Sequence, residues 1–337
     1  MPLSAGKVSA TLLQRVVYRN LGAKVKSVLL GPGIGEDAAV LDTGNEFLIA
    51  SSDPVTGAVA RLGASAVHVN ANDVATRGAV PRWFLSNILL PLGSRPAALE
   101  KLSREIHRAC EELGVAIVGG HAECIRDQNR PMVVGCMLGL TQQRKFISTS
   151  GAKVGDRIIM TKTAGIEGTS ILASDRAAFL REKMGREFVY KARDHFNQIS
   201  VVKDALIAFQ GSGIRAMHDP TEGGIAGGLH ELADASNTGF VVAEERIRIS
   251  LETREICRLF SIDPMSFISS GSLLISCHPN QVVQTTARLR RNDIHCAVIG
   301  AVVKPTRKRS ILARDGTTRM LVRPSSDQLW RALKTRL

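Results

Sequence analysis

The sequence predicts a mixed α/β protein built from two domains, and three observations lead to that prediction. The chain has 337 residues, whereas a single domain usually has about 150. Apolar residues make up 44% of the chain and aromatic residues only 4%, so the cores must be mainly aliphatic, as in buried Val- and Ile-rich strands. Strand patterns also alternate with helix patterns along the sequence.

The first half of the chain contains elements that apolar spacing and turn residues define. Apolar residues from Leu12 to Leu21 follow the spacing of a short amphipathic helix. The further expected elements are a strand at 46–51, a helix rich in small residues at 62–76, a strand at 82–90, a helix from 94 closed by Gly114, a short buried strand at 115–118 and a strand at 132–140.

Residues 145–156 mark the expected crossing into the second domain. Pro220 and Thr221 are expected to begin a helix whose apolar stripe includes Ile225 and Leu229. The other expected elements are a strand at 157–161, a helix from Thr169, a solvated helical stretch at 175–194, strands at 272–276 and 296–303 with a helix at 279–290 between them, and a helix at 327–337 capped by Ser325 or Ser326.

Five short segments combine acidic residues with glycines or turns. Carboxylate oxygens are the ligands that Mg²⁺ prefers, and glycines let backbone amides approach phosphates. Together the segments predict a metal–nucleotide site assembled from distant parts of the chain. In order they are residues 33–39 (GIGEDAA), 51–54 (SSDP), 72–73 (ND), 119–123 (GGHAE) and 218–224 (HDPTEGG).

The order and the residues of these segments resemble those of one superfamily. It includes aminoimidazole ribonucleotide (AIR) synthase, selenophosphate synthetase, thiamine-monophosphate kinase and HypE. The resemblance is closest to HypE and its paralogues and extends from about Gly31 to about Val303. It implies a PurM-like two-domain α/β fold. The expected parts are an N-terminal ATP- and metal-binding domain at 1–148, a larger C-terminal domain at 149–320 and a basic helix at 321–337. It also implies a homodimer whose N-terminal strands join across the interface.

The resemblance assigns roles to particular residues. Asp37, Asp53 and Asp73 match Mg²⁺ ligands, and Glu123 is a further candidate metal ligand. A turn carboxylate is the structural alternative for Asp37 and Asp53, whereas a charged Asp73 on an apolar helix is costly to bury without a partner. The candidate nucleotide-binding residues are Gly33, Gly35, Asn72, Gly119, Gly120, Lys162 and Asp219, and Lys162 could equally be a solvated loop lysine.

Three residues are candidates for catalysis. His218 and Glu222 could form an acid–base pair, or Thr221 and Glu222 could simply cap a helix. His121 could donate to phosphate or be a structural histidine. Many HypE sequences carry Arg where this chain has Glu222, so the acceptor is expected to differ.

The expected function is an ATP- and Mg²⁺-dependent reaction that activates an amide or carbamoyl oxygen on an unidentified small-molecule or protein acceptor. HypE carries its chemistry on a C-terminal cysteine, whereas the last cysteine here is Cys296, so we expect no carbamoyl acceptor on the C-terminus. The alternatives are a non-catalytic nucleotide-binding partner and, less well supported, AIR synthase itself.

Composition bears on partners and location. The net charge is +13, and ten Lys or Arg lie between 301 and 337. Because aromatic residues do not alternate with these basic residues, nucleic-acid binding is not favoured. There is no apolar run of the roughly 18 residues that a membrane span needs and no secretory h-region, so a cytoplasmic location is expected.

Overall fold

The structure, a computed structural model, describes residues 6–55, 60–141, 143–305 and 309–335, which form two compact units. The smaller unit contains residues 27–31 and the described part of 38–146. The larger unit contains the described parts of 1–26 and 147–337, together with 32–37. The segment that carries Gly33, Gly35 and Asp37 therefore belongs to the larger unit, although it precedes most of the smaller one in the chain.

Eleven α-helices and fourteen strands lie within the described residues. The helices are α1 (Ala10–Val16), α2 (Leu62–Thr76), α3 (Pro96–Leu113), α4 (Ile166–Asp175), α5 (Ala177–Met184), α6 (Arg186–Asp194), α7 (Val202–Phe209), α8 (Gly224–Ala235), α9 (Leu251–Leu259), α10 (Val282–Arg291) and α11 (Gln328–Lys334). The strands are β1 (Val28–Leu30), β2 (Ala39–Asp42), β3 (Phe47–Ser51), β4 (Pro54–Val55), β5 (Ala79–Pro91), β6 (Ala116–Ile125), β7 (Met132–Thr141), β8 (Arg157–Thr161), β9 (Ile214–His218), β10 (Gly239–Ala243), β11 (Leu274–Cys277), β12 (Cys296–Val303), β13 (Ser310–Leu312) and β14 (Thr318–Met320).

The smaller unit is a largely antiparallel sheet covered by α2 and α3. Its strands follow the order β1-β2-β3-β7-β5-β6, with β4 also paired to β7 and with β5 and β6 parallel. The helix predicted at 62–76 is confirmed as α2, which packs against the sheet and against α3 and is buried along nearly its whole length. Small side chains such as Ala66 and Ala71 suit a helix that is enclosed on both sides.

The outer strand β6 is exposed, so the prediction of a short buried strand at 115–118 is wrong. Ile117 and Val118 are 46% and 53% exposed. Within the described residues β6 pairs only with β5, and no layer covers its apolar side chains. Gly120 has a φ of 147°, and a Cβ there would lie 2.0 Å from the carbonyl oxygen of Ser86. Glycine is therefore required for β6 to lie against β5.

The larger unit is built on a sheet of order β14-β13-β10-β12-β8-β11-β9 within the described residues. The helix α8 covers one face through Ile225 and Leu229, which pack with aliphatic residues of the central strands. Strands β8 and β9 both run antiparallel to β11, which lies between them. They therefore end at the same edge of the sheet, after Thr161 and His218.

Several helix ends differ from the prediction. Helix α4 begins at Ile166 rather than Thr169, and the stretch 175–194 contains two helices, α5 and α6, because Gly185 interrupts it with a φ of 85°. Asp327, rather than Ser325 or Ser326, caps α11, since its carboxylate accepts a hydrogen bond from the Leu329 amide. Positions 336 and 337 of that predicted helix lie outside the described residues.

Among the described residues, no helix combines the length and the apolar character needed to cross a membrane.

Candidate functional site

A buried histidine joins two carboxylates at the edge of the larger unit's sheet. His218, which ends β9, is 1% exposed; its Nδ1 lies 2.9 Å from Oδ2 of Asp37 and its Nε2 lies 3.0 Å from Oε2 of Glu231. Glu231, on α8, also pairs with Lys7, whose Nζ lies 2.9 Å from Oε1. Charges therefore alternate along a chain that runs from Lys7 through Glu231 and His218 to Asp37.

The two carboxylates hold the imidazole in its charged form. Burial alone lowers the pKa of His218, but the charges and hydrogen bonds of Asp37 and Glu231 outweigh burial and raise the pKa to about 10. Burial raises the pKa of Glu231, but Lys7 and His218 together bring that pKa well below its usual range. A His218 that is charged at neutral pH favours an electrostatic role, because a general acid or base must change its protonation state.

Asp219, which follows His218, is the second carboxylate near Asp37. One oxygen of Asp37 and one of Asp219 lie within 4.8 Å of each other, and Asp219 is buried. Two carboxylates at this separation provide the oxygen ligands that a single Mg²⁺ accepts. The positive charge of His218 reduces the repulsion between them. Asp37 and Asp219 could therefore hold a divalent cation.

A cavity of about 560 Å³ in the larger unit includes Asp37 in its wall. Among the described residues, five carboxylates line this cavity, compared with the two cationic groups of Lys7 and Arg323. The negative balance favours a ligand that arrives with its own cations, as a magnesium–nucleotide complex does. The five acidic residues are Glu36, Asp37, Glu222, Glu231 and Asp327.

The glycine turn before Asp37 is fixed by contacts within the larger unit. The Glu36 carboxylate accepts hydrogen bonds from the amides of Thr149 and Ser150, at 3.1 and 3.2 Å. Gly35 has a φ of 71°, and a Cβ there would lie 3.0 Å from the carbonyl oxygen of Glu231. Gly33 accepts a hydrogen bond from the hydroxyl of Tyr18. The turn thus lies against α8 at Gly35 and leaves Asp37 in contact with His218.

Glu222 lies before α8, and the prediction that Pro220 and Thr221 begin this helix is wrong. The helix begins at Gly224, because Gly223 is in the left-handed region with a φ of 83°. An Oε atom of Glu222 accepts the backbone N–H of Lys7 at 2.8 Å. Since both ring nitrogens of His218 face Asp37 and Glu231, the structure does not pair His218 with Glu222.

Two further carboxyl groups of the larger unit, those of Glu167 and Asp327, are buried. Burial raises the pKa of Glu167, at the start of α4, to about 7; the nearby Ser270 hydroxyl opposes this rise, and the charges of Asp327 and Glu222 add to it. Burial also raises the pKa of Asp327 to about 6, against the hydrogen bonds that it accepts from backbone amides such as that of Gly223.

Substituting Glu167 with Gln is expected to remove a pH-dependent loss of stability. Because the pKa of Glu167 is higher in the folded protein than the unfolded value of 4.5, the folded state favours the protonated carboxyl. Its contribution to stability is complete below pH 4.5 and is lost as the pH rises through about 7. Because Glu167 is only 4% exposed, we expect the variant at pH 8 to be more stable than the wild type by roughly 2–3 kcal/mol. Urea denaturation from pH 4 to 8 measures this difference. Glu182→Gln, at an exposed site, is the control, and equal pH slopes for wild type and Glu167→Gln would contradict the prediction.

Lys162, a candidate phosphate ligand, is held by protein groups. Its Nζ lies 3.2 Å from a carboxylate oxygen of Asp204 and donates to the carbonyl oxygens of Gln198 and Ser200 at 3.2 and 2.6 Å. Burial lowers the pKa of Lys162, and Asp204 opposes this shift. These contacts occupy the ammonium group and favour a structural role.

In the smaller unit, α2 positions two of the predicted metal ligands. The Asp73 carboxylate is buried and accepts a 2.5 Å hydrogen bond from the Ser51 hydroxyl, at the end of β3. Asn70, one helical turn earlier, accepts the Asp53 amide at 2.8 Å and donates to the Asp53 carbonyl oxygen. Asn72 is fully buried on the same helix. Helix α2 therefore holds Asp73 directly and fixes the backbone that carries Asp53.

The remaining candidates of the smaller unit lie on the exposed strand β6. His121 and Glu123 are two residues apart, and their side chains approach to 3.5 Å. Gly119 and Gly120 lie on the same strand, where Gly120 is already required by the close approach of β5. For Gly120, this packing requirement is an alternative to the phosphate-binding role that the sequence suggested.

Three residues that hold the candidate ligands, Lys7, Glu231 and Asn70, were not predicted from the sequence. Lys7 and Glu231 lie in unremarkable stretches, and their importance comes from contacts across 224 positions of the chain. Asn70 did carry a signal, because it lies three residues before Asp73 and so shares one face of α2.

The two-unit α/β fold and its acidic turns define the class of AIR-synthase-type proteins. A family model for the N-terminal domain of AIR synthase related proteins matches residues 35–141, and one for the C-terminal domain matches residues 153–313. The chain therefore belongs to the AIR synthase related protein family.

Two curated relatives illustrate where in this family the chain lies. A putative hydrogenase expression/formation protein of Methanocaldococcus jannaschii is 26% identical over 310 residues, 89% of each chain. Carbamoyl dehydratase HypE of Bradyrhizobium diazoefficiens is 25% identical, over 77% of this chain and 75% of its own.

Solved structures share the fold. The HypE–HypF complex matches with a TM-score of 0.75 and 21% identity, covering 93% of this chain and 99% of that one. AaThiL complexed with AMPPCP and TMP matches with a TM-score of 0.72 and 20% identity, covering 96% and 99%.

Proposed function

We propose that this protein is a HypE-like enzyme of the cytoplasm that uses ATP and Mg²⁺ to activate an amide or carbamoyl oxygen of an acceptor. The observation that carries the proposal is the Asp37–Asp219 pair beside the charged His218, with Asp37 also lining a carboxylate-rich cavity. A HypE structure described as a complex with ATP, at 23% identity and a TM-score of 0.68, supports nucleotide binding by this fold.

In this proposal the chain supplies positioning and electrostatics. In the larger unit the proposed Mg²⁺ ligands are Asp37 and Asp219, and the cation would neutralise charge on the transferring phosphoryl group. In the smaller unit, Asp53 and Asp73 are separately proposed as Mg²⁺ ligands. His218 and Glu231 orient Asp37, so that its carboxylate does not have to reorganise when the metal–nucleotide complex binds. Lys7 fixes Glu231 and Glu222.

The acceptor is either a small molecule or a group carried by another protein. The relatives named carbamoyl dehydratase favour an oxygen of a carbamoyl group, and the solved HypE–HypF complex favours a protein partner. The alternative function is a nucleotide-binding protein that assembles with a partner and does not turn over ATP.

Isothermal calorimetry with ATP, in Mg²⁺ and then in EDTA, tests the proposal. We expect affinity to fall by about tenfold or more in EDTA, because the carboxylates then repel the triphosphate. Equal affinity in the two buffers would contradict the metal-dependent site. Formation of ADP in the presence of carbamoyl-bearing acceptors, followed by ³¹P NMR, separates the enzyme from the non-catalytic alternative.

We further propose a homodimer in which two copies pair along β6. This strand leaves ten residues at the open edge of a sheet, and its exposed Ile117 and Val118 need cover. Val118→Lys is expected to shift the protein towards the monomer in sedimentation equilibrium, because the dimer would bury the added charge. Val154→Lys, at a position of nearly equal exposure, 52% against 53%, is the control. A dimer that survives Val118→Lys unchanged would exclude this interface.

A further inference from the structure

A basic pocket of about 470 Å³ lies where β8 ends and β12 begins in the larger unit. Its cationic wall comes from three separate elements: Arg290 from the last turn of α10, Arg246 from the 3₁₀ turn Glu244–Arg246, and Arg248 from the extended segment that follows. Two backbone hydrogen bonds join the segment that follows β8 to the two other segments that line the pocket. Lys162 donates to the carbonyl oxygen of His295 at 2.7 Å, and Ala164 donates to that of Arg248 at 2.9 Å.

Two of the arginines flank a buried residue. Arg246 and Arg248 flank Ile247, which is 2% exposed, whereas both arginines are exposed and line the pocket. Arg290 donates through one Nη to the carbonyl oxygen of Cys296 at 3.2 Å, which anchors its side chain at the pocket. Three arginines from separate elements therefore line one pocket, and the guanidinium of Arg290 is anchored there.

Little negative charge balances these groups. Among the described lining residues the pocket has a single carboxylate, Asp293. Glu245 approaches Arg246 only to 4.0 Å. Lys162 also lines the pocket, but Asp204 already compensates its charge. The excess positive charge of the pocket belongs to arginines, whose planar guanidinium groups can donate paired hydrogen bonds to phosphate oxygens. A bound anion would also reduce the repulsion between these neighbouring cations.

The floor of the pocket is apolar. Met160 and Ile294 are buried there, beside Ala297. Small-molecule sites are typically concave and apolar, with a few charged or polar groups. The volume of this pocket also lies within their usual range of about 300–1,000 Å³. No Phe, Tyr or Trp is among the described lining residues, so the stacking surface that single-stranded nucleic acid requires is missing here.

We propose that this pocket binds a small phosphomonoester whose phosphate contacts Arg246, Arg248 and Arg290 and whose organic part covers Met160 and Ile294. The site is separate from the Asp37–Asp219 pair. In the order β9-β11-β8-β12, His218 ends β9 whereas the pocket lies at β8 and β12, two or three strand spacings of about 4.8 Å away. The proposal therefore stands independently of the proposed ATP reaction.

Calorimetric titration of the full chain in EDTA tests the site without metal-dependent nucleotide binding. The probes are inorganic phosphate and phenyl phosphate. We expect phenyl phosphate to bind at least about fivefold more tightly, because its ring covers the apolar floor. We expect the double variant Arg248→Gln/Arg290→Gln to weaken both probes by about tenfold or more. Arg181→Gln, which removes an exposed arginine of α5, and Asp219→Asn should bind both probes as the wild type does.

Unchanged affinity in the double variant, or no binding to the wild type at millimolar concentrations, would overturn the proposal. Equal affinities for the two probes would overturn the organic part of the assignment. An oligonucleotide that binds more tightly than phenyl phosphate, with the same dependence on Arg248 and Arg290, would assign the pocket to nucleic acid instead. Circular dichroism of each variant verifies that it is folded.

Discussion

Asp219→Asn is expected to weaken Mg-ATP binding by about 10- to 100-fold. No other single replacement of a carboxylate by a neutral amide in this site is expected to cause a larger change. Asp219 is buried within 4.8 Å of an Asp37 oxygen, so its carboxylate is placed to share a cation with Asp37. Asparagine keeps the shape of the side chain but offers a single neutral oxygen, which is a weaker Mg²⁺ ligand. Calorimetry at fixed Mg²⁺ concentration measures the loss.

The matched control makes the same chemical change at an exposed position. Asp315 lies in the turn between β13 and β14, where its carboxylate accepts hydrogen bonds from Thr317. Asp315→Asn alters net charge by the same amount and should leave Mg-ATP affinity unchanged. If both variants bind equally well, Asp219 is not a metal ligand. Asp37 is less suitable for this test, because its replacement would also leave His218 without one of its partners.

His218→Gln is expected to lower the free energy of unfolding by about 3–5 kcal/mol, since it removes the charge that compensates two carboxylates. The imidazole is buried between Asp37 and Glu231, which would then face each other's charge without a cation between them. A glutamine can still form one hydrogen bond, but it carries no charge. Urea denaturation followed by circular dichroism measures the change.

The dependence of this loss on pH identifies its cause. Because the pKa of His218 is raised from 6.5 to about 10, its stabilising contribution is complete below pH 6.5 and is lost as the pH rises through about 10. The difference between wild type and His218→Gln should therefore shrink in strongly alkaline buffer. His107→Gln, at an exposed helix position, controls for loss of a histidine. A stability difference that does not change with pH would indicate lost packing rather than lost charge.

Local patterns predicted much of the fold. The alternation of strands and helices was sufficient for α2, β7, β8 and β12, whose observed bounds agree with the prediction to within one residue. Elements with weaker patterns, such as α9 and β10, were not identified. The burial of β6 was predicted wrongly, because apolar residues in a strand do not show whether a second layer covers them.

The candidate site was predictable only in part. The acidic turns around Asp37 and Asp219 stand out in the sequence because glycine and proline surround them. The partners that give those carboxylates their chemistry do not stand out. Glu231 looks like an ordinary polar position on α8, and Lys7 is one of many basic residues. Their pairing depends on how the N-terminal segment folds back onto α8, which no local pattern encodes.

The contacts of Lys7 have a practical consequence for producing and labelling the protein. Its backbone and side chain are fixed to Glu222 and Glu231, which line the acidic cavity. An affinity tag fused just ahead of it would place a flexible, often histidine-rich peptide beside the carboxylates of the proposed metal site. Residues 325–327 line the same cavity, which makes a fusion close behind them unattractive as well. The exposed turn at Asp315 and Gly316 is a better place for a short epitope or a fluorescent label.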